Sequence, residues 1–218
     1  MLRLDWCSAA AAQHAVMRWH YSRKMPASKS ARVGVWESEK FIGCIIFAQG
    51  GNRHLGAPYG LTSNECCELV RVALTTHVAP VSQIMAVALR MLHRQSPGLR
   101  LVVSFADPTE GHAGGIYQAG GWVYTGTTAP STEFRLHGAR LQKRSFTGAN
   151  FGQPRRVLPA AAEKVKTVGK HRYLFPLDRR MERAVVHMAK PYPKKAFACA
   201  AKGSSAAPPP MDVRSDPH

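Results

Sequence analysis

The sequence has no long apolar run. The longest, residues 41–48, is eight residues and carries Gly43 inside it. A helix needs roughly 20 apolar residues to cross a bilayer, so a membrane span is excluded. The first residues include Arg3 and Asp5 and lack the apolar stretch and cleavage site of a secretory signal. Cysteine is sparse: Cys7, Cys44, Cys66, Cys67 and Cys199. Their number is odd, two are adjacent and no CxxC occurs. That argues against a disulfide framework or zinc ribbon, suits a reducing cytoplasm, and leaves Cys66 and Cys67 as packing residues. Acid is also scarce, with 13 Asp and Glu against 30 Lys and Arg, a net charge of +17. Such an excess points to a polyanion, nucleic acid first, rather than to a merely soluble surface.

The excess is uneven. Residues 1–134 hold 12 bases and 8 acids, net +4, whereas residues 135–202 hold 17 and 3, net +14. Phe146, Phe151, Tyr173, Phe175, Tyr192 and Phe197 interleave with those bases. Bases for phosphate and aromatics for bases are the mix a nucleic-acid surface needs. For Tyr173 and Phe175 a place in a small core is the better reading. Beyond residue 200 the chain turns to Ala, Ser and Pro, which reads as a disordered end. The expected organisation is therefore a domain over 1–134, a basic DNA-contacting extension over 135–199 packed on it, and a tail over 200–218.

Periodicity gives the first domain its elements. An Ala-rich helix over 9–19 follows Ser8 as N-cap, then a loop runs from His20 to Pro26. Strands are expected over 33–36, 41–47, 68–74, 99–105 and from Trp122. Helical spacing covers 81–93, and a short helix is expected over 112–119, stopped by Gly120 and Gly121. A strand-like patch follows at 171–175, and 177–188 has helical spacing. This order implies a mixed α/β sheet with a helix crossing between the strands at 68–74 and 99–105. Ligands in such sheets sit at the strands' carboxyl ends, which here deliver Thr75, Thr76, His77 and Asp107. On the strand at 68–74, Glu68 and Arg71 are three apart and should point to opposite faces.

The segment Tyr117-Gln-Ala-Gly-Gly-Trp-Val-Tyr resembles the late helix-then-strand signature of the GCN5-related acetyltransferase superfamily, and the strand-helix-strand before it has the matching order. A sharper resemblance is to the phage Mu Mom family of DNA-modifying proteins. It rests on His20-Tyr21-Ser22-Arg23, on Glu68-Leu-Val-Arg71, on Asp107-Pro108 with Gly111-His112 and Gly115-Ile-Tyr117-Gln-Ala, and on Lys170-His-Arg-Tyr-Leu-Phe-Pro-Leu177. It spans roughly residues 14–185. The resemblance implies an acetyltransferase-like mixed central sheet flanked by helices, with the basic extension at its C-terminal side. It implies an enzyme that places a carbamoylmethyl group on N6 of adenine in double-stranded DNA and so hides phage DNA from host restriction. It also implies a bound iron ion and work in the cytoplasm of an infected or lysogenic bacterium. No obligate protein partner is readable, and a homodimer stays open. One departure concerns coenzyme A. Residues 74–83 hold no glycine where acetyl-CoA users keep a turn that cradles pyrophosphate, and Pro80 removes a donor there. The donor is left unknown, and coenzyme A is disfavoured.

The resemblance directs attention to particular side chains. His20 is a base or iron ligand, with a helix-end histidine as the alternative. Tyr21 orients substrate or meets iron, with a boundary aromatic as the alternative. Asp107 is a general base or metal carboxylate, or else a capping residue. Tyr117 matches a tyrosine general acid, or else is a core tyrosine. Arg71 and Ser104 are candidate donor-binding residues, and Glu68 is read as structural. His20, Asp107 and His112 form the expected metal set. Arg23, Lys24, Arg155, Arg156, Lys170 and Arg172 are the expected DNA contacts. Two readings compete: an acetyl-CoA-dependent N-acetyltransferase, and a non-enzymatic basic DNA-binding protein that needs no clefted His, Tyr and Asp.

Overall fold

A computed structural model describes residues 1–141 and 157–194, with no side-chain description at 139 and 140. Arg155, Arg156 and the tail from 200 lie outside the described residues. The chain builds a seven-stranded mixed sheet and a separate three-stranded one. The strands of the large sheet are β1 (Leu2–Trp6), β2 (Ser30–Glu37), β3 (Lys40–Ala48), β4 (Cys66–Leu74), β5 (Leu101–Ala106), β6 (Val123–Thr127) and β10 (His171–Pro176), in the order β1-β2-β3-β4-β5-β10-β6. The small sheet joins β7 (Ser131–Leu136), β8 (Ala139–Leu141) and β9 (Glu163–Thr167), with β7 central. Among the described residues, only β4 and β5 pair in parallel; the other neighbouring pairs are antiparallel.

Two helices cover opposite faces of the large sheet. Helix α1 (Ala9–Trp19) starts where the Ala11 N–H donates to the Ser8 hydroxyl at 3.2 Å, the cap the sequence implied. Its small residues Ala12, Ala15 and Val16 pack on Cys44, Ile46 and Ala73. Helix α2 (Val81–Gln95) buries Ile84, Met85, Ala88, Leu89 and Leu92, one stripe at helical spacing. That stripe meets Val33, Val35, Ile45, Phe47 and Leu69 on the other face. In β3 the alternation puts Cys44 and Ile46 under α1 and Ile45 and Phe47 under α2. Cys44, Cys66 and Cys67 are buried and free, and burial pushes each thiol up to about 12, as suits packing residues. Among the described residues, no helix is long and apolar enough to cross a membrane.

Beyond β7 the architecture departs from the sequence reading. The strand β10, counted with the basic extension, is an interior strand of the large sheet. It pairs with β5 from His171 opposite Ala106 to Pro176 opposite Leu101, and with β6 on its other side. Tyr173 and Leu174 on it are fully buried. Helix α4 (Arg179–Val185) then covers the sheet with Met181 and Val185 against Leu101, Val103 and Leu174. Asp178 caps this helix by accepting the Met181 N–H at 2.7 Å, and Arg100 grips the same carboxylate at 2.8 Å. The small sheet and β1 have no counterpart in the sequence reading. The short helix expected over 112–119 is reduced to α3 (Gly115–Ala119), because Gly111 and Gly114 adopt left-handed backbone and break the turn before it.

Candidate active site

The parallel pairing of β4 and β5 stops at Glu68 opposite Val103. Beyond it β4 stays with β3 as far as Leu74, while β5 stays with β10 as far as Ala106. The two strands part, and a cleft of about 800 Å³ opens at their carboxyl ends. The parting frees the Leu69 carbonyl. The buried Ser104 hydroxyl reaches across to it at 2.9 Å and contacts the Tyr117 phenol at 2.7 Å.

Four segments bring side chains to this cleft. His20 and Tyr21 come from the end of α1. Glu68 and Arg71 come from β4. Asp107 and His112 come from the loop after β5, with Tyr117 behind them on α3. Lys170 comes from the residue before β10. The four catalytic candidates His20, Tyr21, Asp107 and Tyr117 therefore share one cavity, as do Arg71 and His112.

Glu68 and Arg71 both line it, against the expectation from strand alternation. The register shows why. Leu69 faces Phe47 and Arg71 faces Ile46, so β4 spends two residues where β3 spends one. This bulge at Val70 shifts the alternation by one and turns Arg71 to the same side as Glu68. Arg71 then donates to the Lys24 carbonyl at 3.0 Å and to the Val70 carbonyl at 2.6 Å, which ties the loop after α1 down beside the cleft. Burial pushes the Glu68 carboxyl above its usual range, against the opposing pull of Arg71, Lys170 and a Gly51 N–H. Sequence reasoning set Glu68 aside because a one-residue bulge leaves no mark in composition or periodicity.

His20 closes α1, its backbone N–H donating to the Val16 carbonyl at 3.3 Å. Its Nδ1 accepts the Ser22 N–H at 3.1 Å and lies 2.8 Å from the Ser22 hydroxyl. Burial, then Arg71 and His112, push its pKa down to about 4. The ring is therefore neutral at pH 7, and with Nδ1 accepting, its proton sits on Nε2. In this state it offers a hydrogen bond and holds no lone pair ready for a base or a metal.

Asp107 is 5% exposed and fully engaged. One oxygen accepts the Thr109 N–H at 3.1 Å and the Thr109 hydroxyl at 2.6 Å; the other meets the Lys170 ammonium at 2.8 Å. Burial alone would raise its pKa, but Lys170 and Thr109 outweigh it and hold the carboxyl below the usual range. The capping alternative is thus also realised, toward the turn Pro108–Glu110 and not toward α3. Lys170, one of the expected DNA contacts, lines the cleft and pairs there with Asp107. Tyr117 packs between Trp122 and Tyr173 at ring-centre distances of 5.1 and 5.0 Å, and burial pushes its phenol up to about 12. Ser104, an expected donor-binding residue, is fully buried behind Tyr117, contacts its phenol and is not among the residues that line the cleft.

The metal set does not form. Among the described residues, no three His, Cys, Asp or Glu side chains come together to hold an ion. The chemistry agrees: the His20 lone pair and the Asp107 oxygens are already committed. Of the expected DNA contacts, Arg172 donates to the Thr125 hydroxyl at 2.9 Å, and Arg23 and Lys24 sit on the loop after α1.

Comparison with known proteins gives two findings. A family model described as the Mom protein family matches residues 1–194. A curated relative, the methylcarbamoylase mom of Escherichia phage Mu, is 26% identical over 203 residues, which covers 88% of this chain and 84% of the relative.

Proposed function

Since this chain belongs to the Mom protein family, we propose that it is a phage DNA-modifying enzyme, a transferase that places a carbamoylmethyl group on N6 of adenine in double-stranded DNA and so shields it from host restriction. The observation that carries the proposal is the convergence of His20, Tyr21, Glu68, Arg71, Asp107 and Lys170 on one cleft where β4 and β5 part. A protein that only coats DNA needs no such cleft.

The reaction sets the demands. Adenine N6 is a weak nucleophile because its lone pair is delocalised into the ring, and it is paired inside the duplex. Turning the base out costs a few kcal/mol, offset by stacking and phosphate contacts. The cleft then supplies chemistry from this chain's own side chains. His20 presents Nε2–H to an oxygen of the donor's leaving group, where negative charge develops as its bond to the methylene carbon breaks and N6 bonds to that carbon. Asp107 holds Lys170 in place, and the ammonium serves the same oxygen or a leaving anion. Glu68, with its raised pKa, accepts the proton that N6 releases better than the ion-paired Asp107 does. Tyr117 supports the wall through Ser104. No step is routed through iron, because the donors present do not make a site for it; metal analysis of the purified protein tests that part of the resemblance directly.

The parallel β4–β5 pair, crossed by α2 and splayed at its carboxyl end, supports the acetyltransferase-like reading of the sheet. The start of α2 weighs against coenzyme A. The Val78 and Ala79 N–H groups, placed where a pyrophosphate would be held, both donate to the Glu37 carboxylate at 2.8 Å. An internal anion already fills that place.

The deciding experiment is a nucleoside mass profile of plasmid DNA from cells expressing the chain. An adenosine species about 57 Da heavier, the mass of the added C2H3NO, is the expected result. Unmodified adenine at full expression overturns the proposal.

A further inference from the structure

The cleft carries two rings, Tyr21 and His112, that the chemistry above does not use, and they cluster with His20. The Tyr21 ring lies 4.4 Å from the His20 ring, tilted by only 30°, and 5.5 Å from the His112 ring. The three come from two segments far apart in the chain, the end of α1 and the loop after β5. Burial usually hides a tyrosine packed on two other rings, yet Tyr21 is 52% exposed, and His112 is exposed beside it. His20 is neutral at pH 7, so the ring behind Tyr21 adds no charge to the face that remains open. The loop bearing Tyr21 does not swing freely, because Arg71 fastens it through the Lys24 carbonyl. Held, flat, half-open aromatic surface at the edge of a polar cavity is costly to leave in water and suits a planar ligand.

We propose that Tyr21, backed by His20 and flanked by His112, is a stacking platform for a purine base turned out of the duplex. This rests on the DNA-modification reading and names how that site holds its substrate. The phenol oxygen is incidental to this role; the ring face is what matters. Stacking on a ring contributes favourably for any base and offsets part of the cost of unpairing, while the cleft behind it receives the exocyclic edge.

The test measures binding at fixed salt to two short duplexes that differ at one position, an adenine paired with thymine or an adenine opposite an abasic site. Extrusion is cheap in the second, so a chain that stacks the base binds it more tightly, by roughly 5- to 150-fold if one base stacks fully. The wild-type chain and Tyr21→Phe are expected to keep this preference; Tyr21→Leu is expected to lose most of it while binding the paired duplex as before. His112→Ala, which alters a different segment, is expected to reduce it partially. Equal binding of both duplexes by the wild-type chain overturns the inference, and so does an undiminished preference in Tyr21→Leu. Either result leaves the mass profile of modified DNA untouched, so the platform fails separately from the function.

Discussion

At the scale of single residues the cleft works by committed hydrogen bonds. Asp107 is the clearest case, since Thr109 and Lys170 together hold it ionised. Replacing it with Asn removes the partner of a Lys170 ammonium that is only partly exposed. We expect Asp107→Asn to lose modification while salt-dependent DNA affinity persists, measured by the nucleoside profile and by binding isotherms side by side. His20 gives a prediction in pH. Its folded pKa, about 4, lies below the ordinary 6.5 of the unfolded chain. Between those values the unfolded state binds a proton that the folded state refuses, so the contribution of His20 to stability is present above pH 6.5 and is lost as pH falls toward 4. The thermal midpoint should therefore drop across that window in the wild-type chain and drop less in His20→Gln, whose amide oxygen still accepts the Ser22 N–H.

At the scale of elements the same physics was unevenly legible in the sequence. Helix α2 was plain, because its five buried positions recur on one face. Truncating Leu92, buried in that stripe, should cost about 2–5 kcal/mol in denaturant unfolding. Helix α1 and its Ser8 cap were equally plain. The bulge at Val70 was not, since it is defined by the partner strand: only the pairing of Leu69 and Arg71 with neighbours Phe47 and Ile46 reveals the extra residue. The partner of Lys170 was hidden for a similar reason. The lysine charge read as a phosphate contact, and only the fold shows Asp107, distant in sequence, at 2.8 Å. Gly114 was not legible, since the expected helix over 112–119 ran through it. Its φ is +81°, and a Cβ there would fall 2.3 Å from the Tyr173 ring. Gly114→Ala should cost at least about 2 kcal/mol and loosen the loop that carries His112, seen as a lowered thermal midpoint.

At the scale of the molecule the basic excess divides between cleft and surface. On β9, Lys164 and Lys166 are exposed and lie two apart, hence on one side of the small sheet, where Phe134 and Thr132 stand opposite them on β7. After β9 ends at Thr167, three residues outside any strand bring the chain to Lys170 at the cleft. If DNA crosses this sheet on its way to the cavity, replacing both lysines with Ala should flatten the slope of log affinity against log salt by about 1.8, while the choice of adenines stays the same.

The interior place of β10 also governs how the protein comes into being. While residues 171–176 are still within the ribosome, β5 and β6 have no strand between them, and the wall that Lys170 completes does not exist. A nascent chain therefore cannot mature its cavity from the residues before His171 alone, and a premature stop just before β10 exposes two unpaired edges instead of leaving a smaller working enzyme.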